Sequence, residues 1–366
     1  MHGRRQHLQG KRLGVLTFHR CINYGSYWQA RSLVEGLASM GAEAVLLDHQ
    51  SAEVASAELR CAFRPILPAA TPRSDFPAYA QKIRKFLEAF NRLPLSHAFA
   101  LERPEEVEEF DAIIVGSDEV WNLCHPWYGG CSTFYGEGLR APLVAYAASF
   151  GNQDAADGLS TYWAGRLRNF SSLSVRDENS RSIVRAALGI DPELVLDPCL
   201  QFPPLCAWQD MEVRREGYIA LYGHNFPAWL SDSIRAYARA NGKRVLSIGY
   251  RNDWADEQYL AAGPDEFAAL VAGADGVVTS FFHGCVFAVL NQRPFVTVPS
   301  AYRVNKVHDL MLRLGTQRHI ATPETDADGY ASLLSEPLDP AVGECVAQLR
   351  RRSADFLHKS LAVCHA

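Results

Sequence analysis

The sequence predicts an α/β protein made of two Rossmann-like halves facing across a cleft, with a helix closing the chain. Three observations lead there. Short apolar, β-branched runs alternate with helical stretches along most of the chain. The alternation breaks at a charged stretch, 214–217, and then restarts. And 366 residues are too many for one ordinary domain and about right for two. The halves are placed at 11–213 and 214–339, and the closing helix 340–363 is free to pack back on the first.

The elements follow in order. "LGVLTF" (13–18) is short and apolar, as a buried parallel strand should be. From Tyr27 to Met40 apolar residues recur at helical spacing, and Gly41 suits the left-handed cap that ends a helix. "AVLLDH" (44–49) is the next strand and completes a βαβ unit. Pro65, Pro68, Pro72 and Pro77 mark a long connection, with one helix expected over Tyr79–Arg92. "AIIVGSDEVWN" and "PLVAYAASFG" each give a strand and a loop, and "LSVRDENSRSIVRAAL" gives a strand and a helix. After the break come "YIALYG", a helix over Ala228–Asn241, "RVLSIGY", the helix "GPDEFAALVAGA", "DGVVTS", a helix over 284–291, "PFVTVP" and a helix over 305–314.

Composition limits the function. The chain is 48% hydrophobic and 21% charged, with net charge −5. That balance gives no footprint for nucleic acid and no basic tail for an anionic membrane. The apolar run after the basic start, Leu13–Phe18, is too short for a signal core, and no run reaches membrane-spanning length. The nine cysteines include no CxxC pair. Cys124, His125 and Cys131 fit no common zinc spacing, so reduced thiols in a cytoplasmic protein are expected and no metal site is assigned. A peripheral place at the inner membrane face stays open.

In parallel α/β sheets, ligands bind beyond the carboxyl ends of the strands. That rule selects 19–26, 116–122 and 149–151 in the first half, 176–179 at the junction, and 222–225, 249–251 and 280–284 in the second. His283 and Gly284 stand where "GVVTS" meets an apolar helix. A glycine there lets backbone approach a ligand, a helix N-terminus favours an anion, and an imidazole can bind phosphate or move a proton. The plainer alternative is a histidine that caps a helix or fills the core. Asp177 and Glu178 beside Arg176 suit a helix start, Asp118 could be only a cap, Trp121 only core, and Asn23–Gly25 only a turn.

Taken together these segments resemble the polysaccharide pyruvyl transferase family. The residues that carry the likeness are "TFHRCINYGSYWQARSL", "FDAIIVGSDEVWN", "ASFGN", "LSVRDENS", "LVLDPCL", "GPDEFAALVAGADGVVTSFFHGCVFAVL" and "NKVHDLMLRLG", in the family's order from about 13 to 315. Ser280 and Phe281 stand where the family often has Asp-Ser, and Glu119 stands where Gln is usual. The resemblance implies a GT-B-like fold, phosphoenolpyruvate as donor and co-substrate with no cofactor, and a pyruvate ketal formed on a hydroxyl pair of a glycan or other sugar-containing acceptor, lipid-linked glycans included. By motif position it points to His283, Arg176 and Lys306 as donor-site residues. Gly284, Ser280 and Arg303 join the donor set from the same loops. Asn23, Tyr24, Ser117, Asp118, Trp121 and Asn122 form the expected acceptor set. Whether His283 gives a proton or only binds phosphate is left open. The alternatives are a nucleotide-sugar glycosyltransferase on the same fold and an inactive sugar- or anion-binding member.

Overall fold

A computed structural model describes residues 8–204 and 217–364. The expected boundary at 214 lies outside them. The chain divides into two compact units. One comprises residues 1–57, 92–203 and 346–366, the other 58–91 and 204–345. Residues 58–91, which the sequence reading kept in the first half, therefore belong to the second unit.

The chain opens with β1 (Arg12–Leu16), α1 (Tyr24–Ser39), β2 (Glu43–Leu46) and the short β3 (His49–Gln50). Two helices follow, α2 (Ala52–Phe63) and α3 (Phe76–Phe90). The prolines led to a loop being expected where α2 lies. Pro77 sits in the first turn of α3, where its missing N–H costs nothing, so it starts a helix that was expected only from Tyr79. Next come β4 (Phe99–Ala100), β5 (Ala112–Val115), β6 (Leu143–Ala148), α4 (Thr161–Leu167), β7 (Phe170–Val175), α5 (Glu178–Leu188), β8 (Glu193–Leu194) and the one-turn α6 (Pro198–Gln201).

These strands form a six-stranded parallel sheet in the order β2-β1-β5-β6-β7-β8, while β3 pairs with β4 alone. All four residues of β5 are buried, as expected of a central strand covered on both faces. Trp121, Phe134, Tyr135, Phe150 and Phe170 pack into the core beside it.

The second unit holds β9 (Tyr218–Tyr222), α7 (Ala228–Ala240), β10 (Arg244–Ile248), β11 (Glu257–Tyr259), α8 (Pro264–Ala272), β12 (Gly276–Thr279), α9 (Phe282–Leu290), β13 (Phe295–Thr297), α10 (Val304–Leu314) and α11 (Ala327–Ser335). Its parallel sheet runs β11-β10-β9-β12-β13. The inserted stretch 58–91 is tied into this unit by polar contacts. Lys82 donates to the Gly249 carbonyl at 3.0 Å, Lys85 pairs with Glu266 at 2.6 Å, and Arg251 pairs with Asp75 at 2.9 Å. The last helix, α12 (Pro340–Val363), has the expected bounds, and from Val346 onward it belongs to the first unit. Among the described residues no helix is long and apolar enough to cross a membrane.

Candidate functional site

Each of the two larger sheets has one point where the strand order reverses, and the crevice there is where α/β sheets take ligands. In the second sheet it lies between β9 and β12. The loops leaving these two strands meet: the Ser280 hydroxyl donates to the His224 carbonyl at 3.2 Å, and the His224 amide donates to the Ser280 oxygen at 3.3 Å. The His224 ring lies 5.3 Å from those of Phe281 and Tyr250, and the Arg303 guanidinium covers Phe281 at 4.3 Å. Burial, then the nearby Arg303 charge, push the His224 imidazole down to about 4, so it is neutral near pH 7. Lys306, in the first turn of α10, is buried and lies 5.6 Å from the Tyr302 ring.

α9 starts at Phe282, two residues before the expected helix, so His283 and Gly284 are inside its first turn. Phe281 is the N-cap and offers no side-chain oxygen. His283 is only 8% exposed. The reason for Gly284 differs from the expected one. A Cβ there would lie 1.9 Å from the Thr279 hydroxyl oxygen. That hydroxyl donates to the Tyr222 carbonyl at 2.6 Å and accepts from the Phe281 amide at 3.0 Å. Gly284 thus lets the helix press against the strand end, which fixes where His283 starts its turn.

In the first unit the reversal lies between β1 and β5. Here too the loops are tied together. The Thr17 hydroxyl donates to the Ser117 carbonyl at 2.8 Å, and the Ser26 hydroxyl donates to Asp118 at 2.8 Å. Asn23 is the N-cap of α1, its side chain accepting from the amides of Gly25 at 2.8 Å and Ser26 at 3.2 Å. Tyr24 and Ser117 are buried, and the Ser117 hydroxyl has no hydrogen-bond partner among the described residues. Asn122 donates to Glu119 and to Asn152, both at 2.9 Å. Trp121 is a correction. Its ring is fully buried in the core and its N–H donates to the Phe134 carbonyl at 3.0 Å, so it has no face to offer a sugar.

Arg176, next after β7, lies in this first unit, apart in the chain division from His283, Ser280, Arg303 and Lys306. It is buried between two carboxylates, Asp118 and Asp197, each at 3.3 Å. Burial opposes its charge, and Asp118, Asp197, Glu119 and Asp177 together outweigh that and raise its pKa. Asp177 caps α5 by accepting from the Ser180 amide at 2.7 Å.

Comparison with known proteins decides the family. The family model described as polysaccharide pyruvyl transferase matches residues 23–302, more than three quarters of the chain. The chain belongs to the polysaccharide pyruvyl transferase family. A search of curated proteins finds no match. Among solved structures, a protein described as a candidate UDP-N-acetylglucosamine 2-epimerase from Listeria monocytogenes is similar, with TM-score 0.53, 10% identity, and coverage of 93% of this chain and 91% of that one. The UDP-GlcNAc 2-epimerase of Methanocaldococcus jannaschii gives TM-score 0.50 and 12% identity over 93% and 99%. A Streptomyces glycosyltransferase, SsfS6, crystallised with thymidine diphosphate, gives 0.45 and 15% over 94% and 96%. At such identities the likeness to the two epimerases is one of fold, the GT-B-like class with two Rossmann-like units.

For this pyruvyl transferase family member, sequence reasoning missed two side chains at the strand ends. His224 lay inside the selected stretch 222–225 but was not singled out, because a histidine gains meaning only from its neighbours Ser280, Phe281 and Arg303. Asp197 sat in a quoted segment, "LVLDPCL", and nothing local marked it as the partner of Arg176, 21 residues away.

Proposed function

We propose that this protein transfers the enolpyruvyl carbons of phosphoenolpyruvate to a pair of hydroxyls on a glycan or sugar-containing acceptor, forming a pyruvate ketal and releasing phosphate. What carries this reading is a histidine and a cation, His224 and Arg303, gathered on the same Phe281 ring at the β9–β12 reversal, in a chain of this family. Phosphoenolpyruvate bears a phosphate and a carboxylate on three carbons. Arg303 and Lys306 supply positive charge at that reversal, and the start of α9 supplies helix-dipole field of the same sign. Ser280 holds the His224 loop in register with them.

In the proposed reaction His283 delivers a proton to the methylene carbon, which becomes a methyl group. The π electrons leave C2 cationic, and one sugar hydroxyl adds there and gives up its proton. The C–O bond to phosphorus-bound oxygen then breaks with its electron pair on phosphate, the second hydroxyl adds to C2, and its proton is released. One proton is consumed at carbon and two leave the hydroxyls. Phosphate takes one, so the sum balances. His224, neutral near pH 7, is a suitable acceptor for a hydroxyl proton.

The acceptor is assigned to the first unit, where Asn23, Ser117, Asp118 and Asn122 meet at the β1–β5 reversal. Arg176 is reassigned within this reading. An anionic donor would have to compete with two carboxylates already at 3.3 Å, so Arg176 is placed as the group that orients Asp118. The test is phosphate release from phosphoenolpyruvate with and without a panel of glycans, alongside nucleotide release from nucleotide sugars. Acceptor-dependent phosphate release with a ketal methyl signal in the product supports the proposal. Nucleotide release without it overturns the proposal.

A further inference from the structure

The first unit contains a cavity of about 650 Å³ that the reaction scheme does not use. Its size falls within the roughly 300–1,000 Å³ range of ligand pockets. Three chain segments line it, and each continues from the carboxyl end of a parallel strand: the start of α2 after β3, the turn after β4, and the second part of the long loop after β5. That same β5 loop carries Ser117, Asp118 and Asn122, three of the proposed acceptor residues, near its start.

One wall is held rigidly. His125 Nδ1 accepts from the amides of both Trp127 at 3.3 Å and Tyr128 at 3.2 Å. The Tyr128 ring stacks on Phe18 at 4.4 Å, over the core. A Cβ on Gly129 would lie 2.5 Å from the Leu123 carbonyl oxygen, so this turn closes tightly only with glycine. Trp127, half-buried, and Tyr128 both line the space. The other walls carry Glu53, Glu102, Glu105 and Glu137, and among the described residues no lysine or arginine lines the cavity. Glu137 pairs with Arg166 at 2.6 Å, whereas Glu53, Glu102 and Glu105 join no ion pair among the described residues.

An aromatic platform beside acceptors of hydrogen bonds suits a pyranose ring, whose C–H face stacks and whose hydroxyls donate. Carboxylates without cations repel a ligand that is itself acidic. Resting on the reading that the acceptor is a glycan, we propose that this cavity holds a saccharide portion of the acceptor, neutral or amino-bearing, and selects against acidic sugars.

The test measures binding without phosphoenolpyruvate, so its failure is distinct from a failure of transfer. Cellotriose, glucosamine trimer, galacturonate trimer and spermidine are titrated into the full chain and followed by calorimetry. The expected result is binding of the first two and at least tenfold weaker binding of the galacturonate trimer. Glu102→Lys with Glu105→Lys, both at exposed positions, should reverse the order of glucosamine and galacturonate trimers with an unchanged thermal midpoint. Glu53→Lys, exposed and on a different segment, should shift the order in the same direction. The proposal is overturned if no saccharide binds, if only spermidine binds, if galacturonate trimer binds as tightly as cellotriose, or if neither variant alters the order.

Discussion

Gly284 and His283 are adjacent but do different jobs, and their variants should separate. Gly284→Ala sets a methyl group against Thr279, so overpacking should cost about 1–3 kcal/mol in urea unfolding. His283→Ala should leave the unfolding midpoint nearly unchanged while lowering turnover by about 10²–10⁴-fold, the range for a lost general acid or base. Phosphate release at the wild-type rate in purified His283→Ala would remove it from the chemistry. Arg176→Ala is different again, because it strands Asp118 and Asp197 in a buried place. Breaking such a network by removing one partner costs about 3–5 kcal/mol. Arg176→Lys should recover only part of this, since one ammonium cannot reach both carboxylates as a planar fork does. A stability loss below 1 kcal/mol in Arg176→Ala would show that the two aspartates do not depend on it.

At the level of single elements, α1 offers a direct comparison. Asn23→Ala should cost about 1 kcal/mol through loss of the cap, and Asn23→Ser should keep it. If both retain transfer, Asn23 is only a cap and leaves the acceptor set. The short β3 carries a pH signature. Burial, then the charge of neighbouring His19, push the His49 imidazole down to about 3, while its Nε2 lies 2.9 Å from the Thr17 carbonyl oxygen. An unfolded chain takes up this proton near 6.5 and the folded chain only near 3. Between those values the unfolded state binds more protons, so stability falls as pH drops, by about 1.4 kcal/mol per pH unit for one such group. Urea midpoints at pH 7, 6, 5 and 4 should show the decline, and His49→Gln should flatten it. Elements with an unbroken signal were legible beforehand. The "AIIV" and "YIALY" strands are apolar throughout, and α12 keeps the bounds its pattern gave. What failed had a physical cause. Prolines near α2 and α3 read locally as breakers, yet one of them starts a helix, and Trp121 reads by residue type as a sugar platform, whereas its place in the core is set by Phe134, Tyr135, Phe150 and Phe170. The strand ends are legible because they follow from the alternation of strand and helix, but the side-chain partners of Arg176 and His224 depend on contacts between distant segments.

For the molecule as a whole, ligand binding to the folded state raises stability by about 2.7 kcal/mol at a hundredfold excess over the dissociation constant. Phosphoenolpyruvate should therefore raise the melting midpoint of the wild type. Asp118→Asn should keep that shift and lose transfer, whereas Lys306→Ala combined with Arg303→Ala should lose both. Loss of the shift in folded Asp118→Asn would contradict the assignment of the acceptor to the first unit. The interleaved division of the chain also bears on how it is made. The first unit needs residues from 346 on: Ser353 Oγ accepts from the Leu196 amide at 2.9 Å, Arg350 donates to the Leu200 carbonyl at 2.5 Å, and Leu357 and Leu361 are fully buried. On a translating ribosome, the unit that begins earlier in this sequence is thus completed after the other. Until α12 emerges, its apolar seat stays open to chaperones or to a neighbouring chain. A stop codon placed near 340 would injure the amino-terminal Rossmann unit, while leaving the carboxyl-terminal one with all but five of its residues.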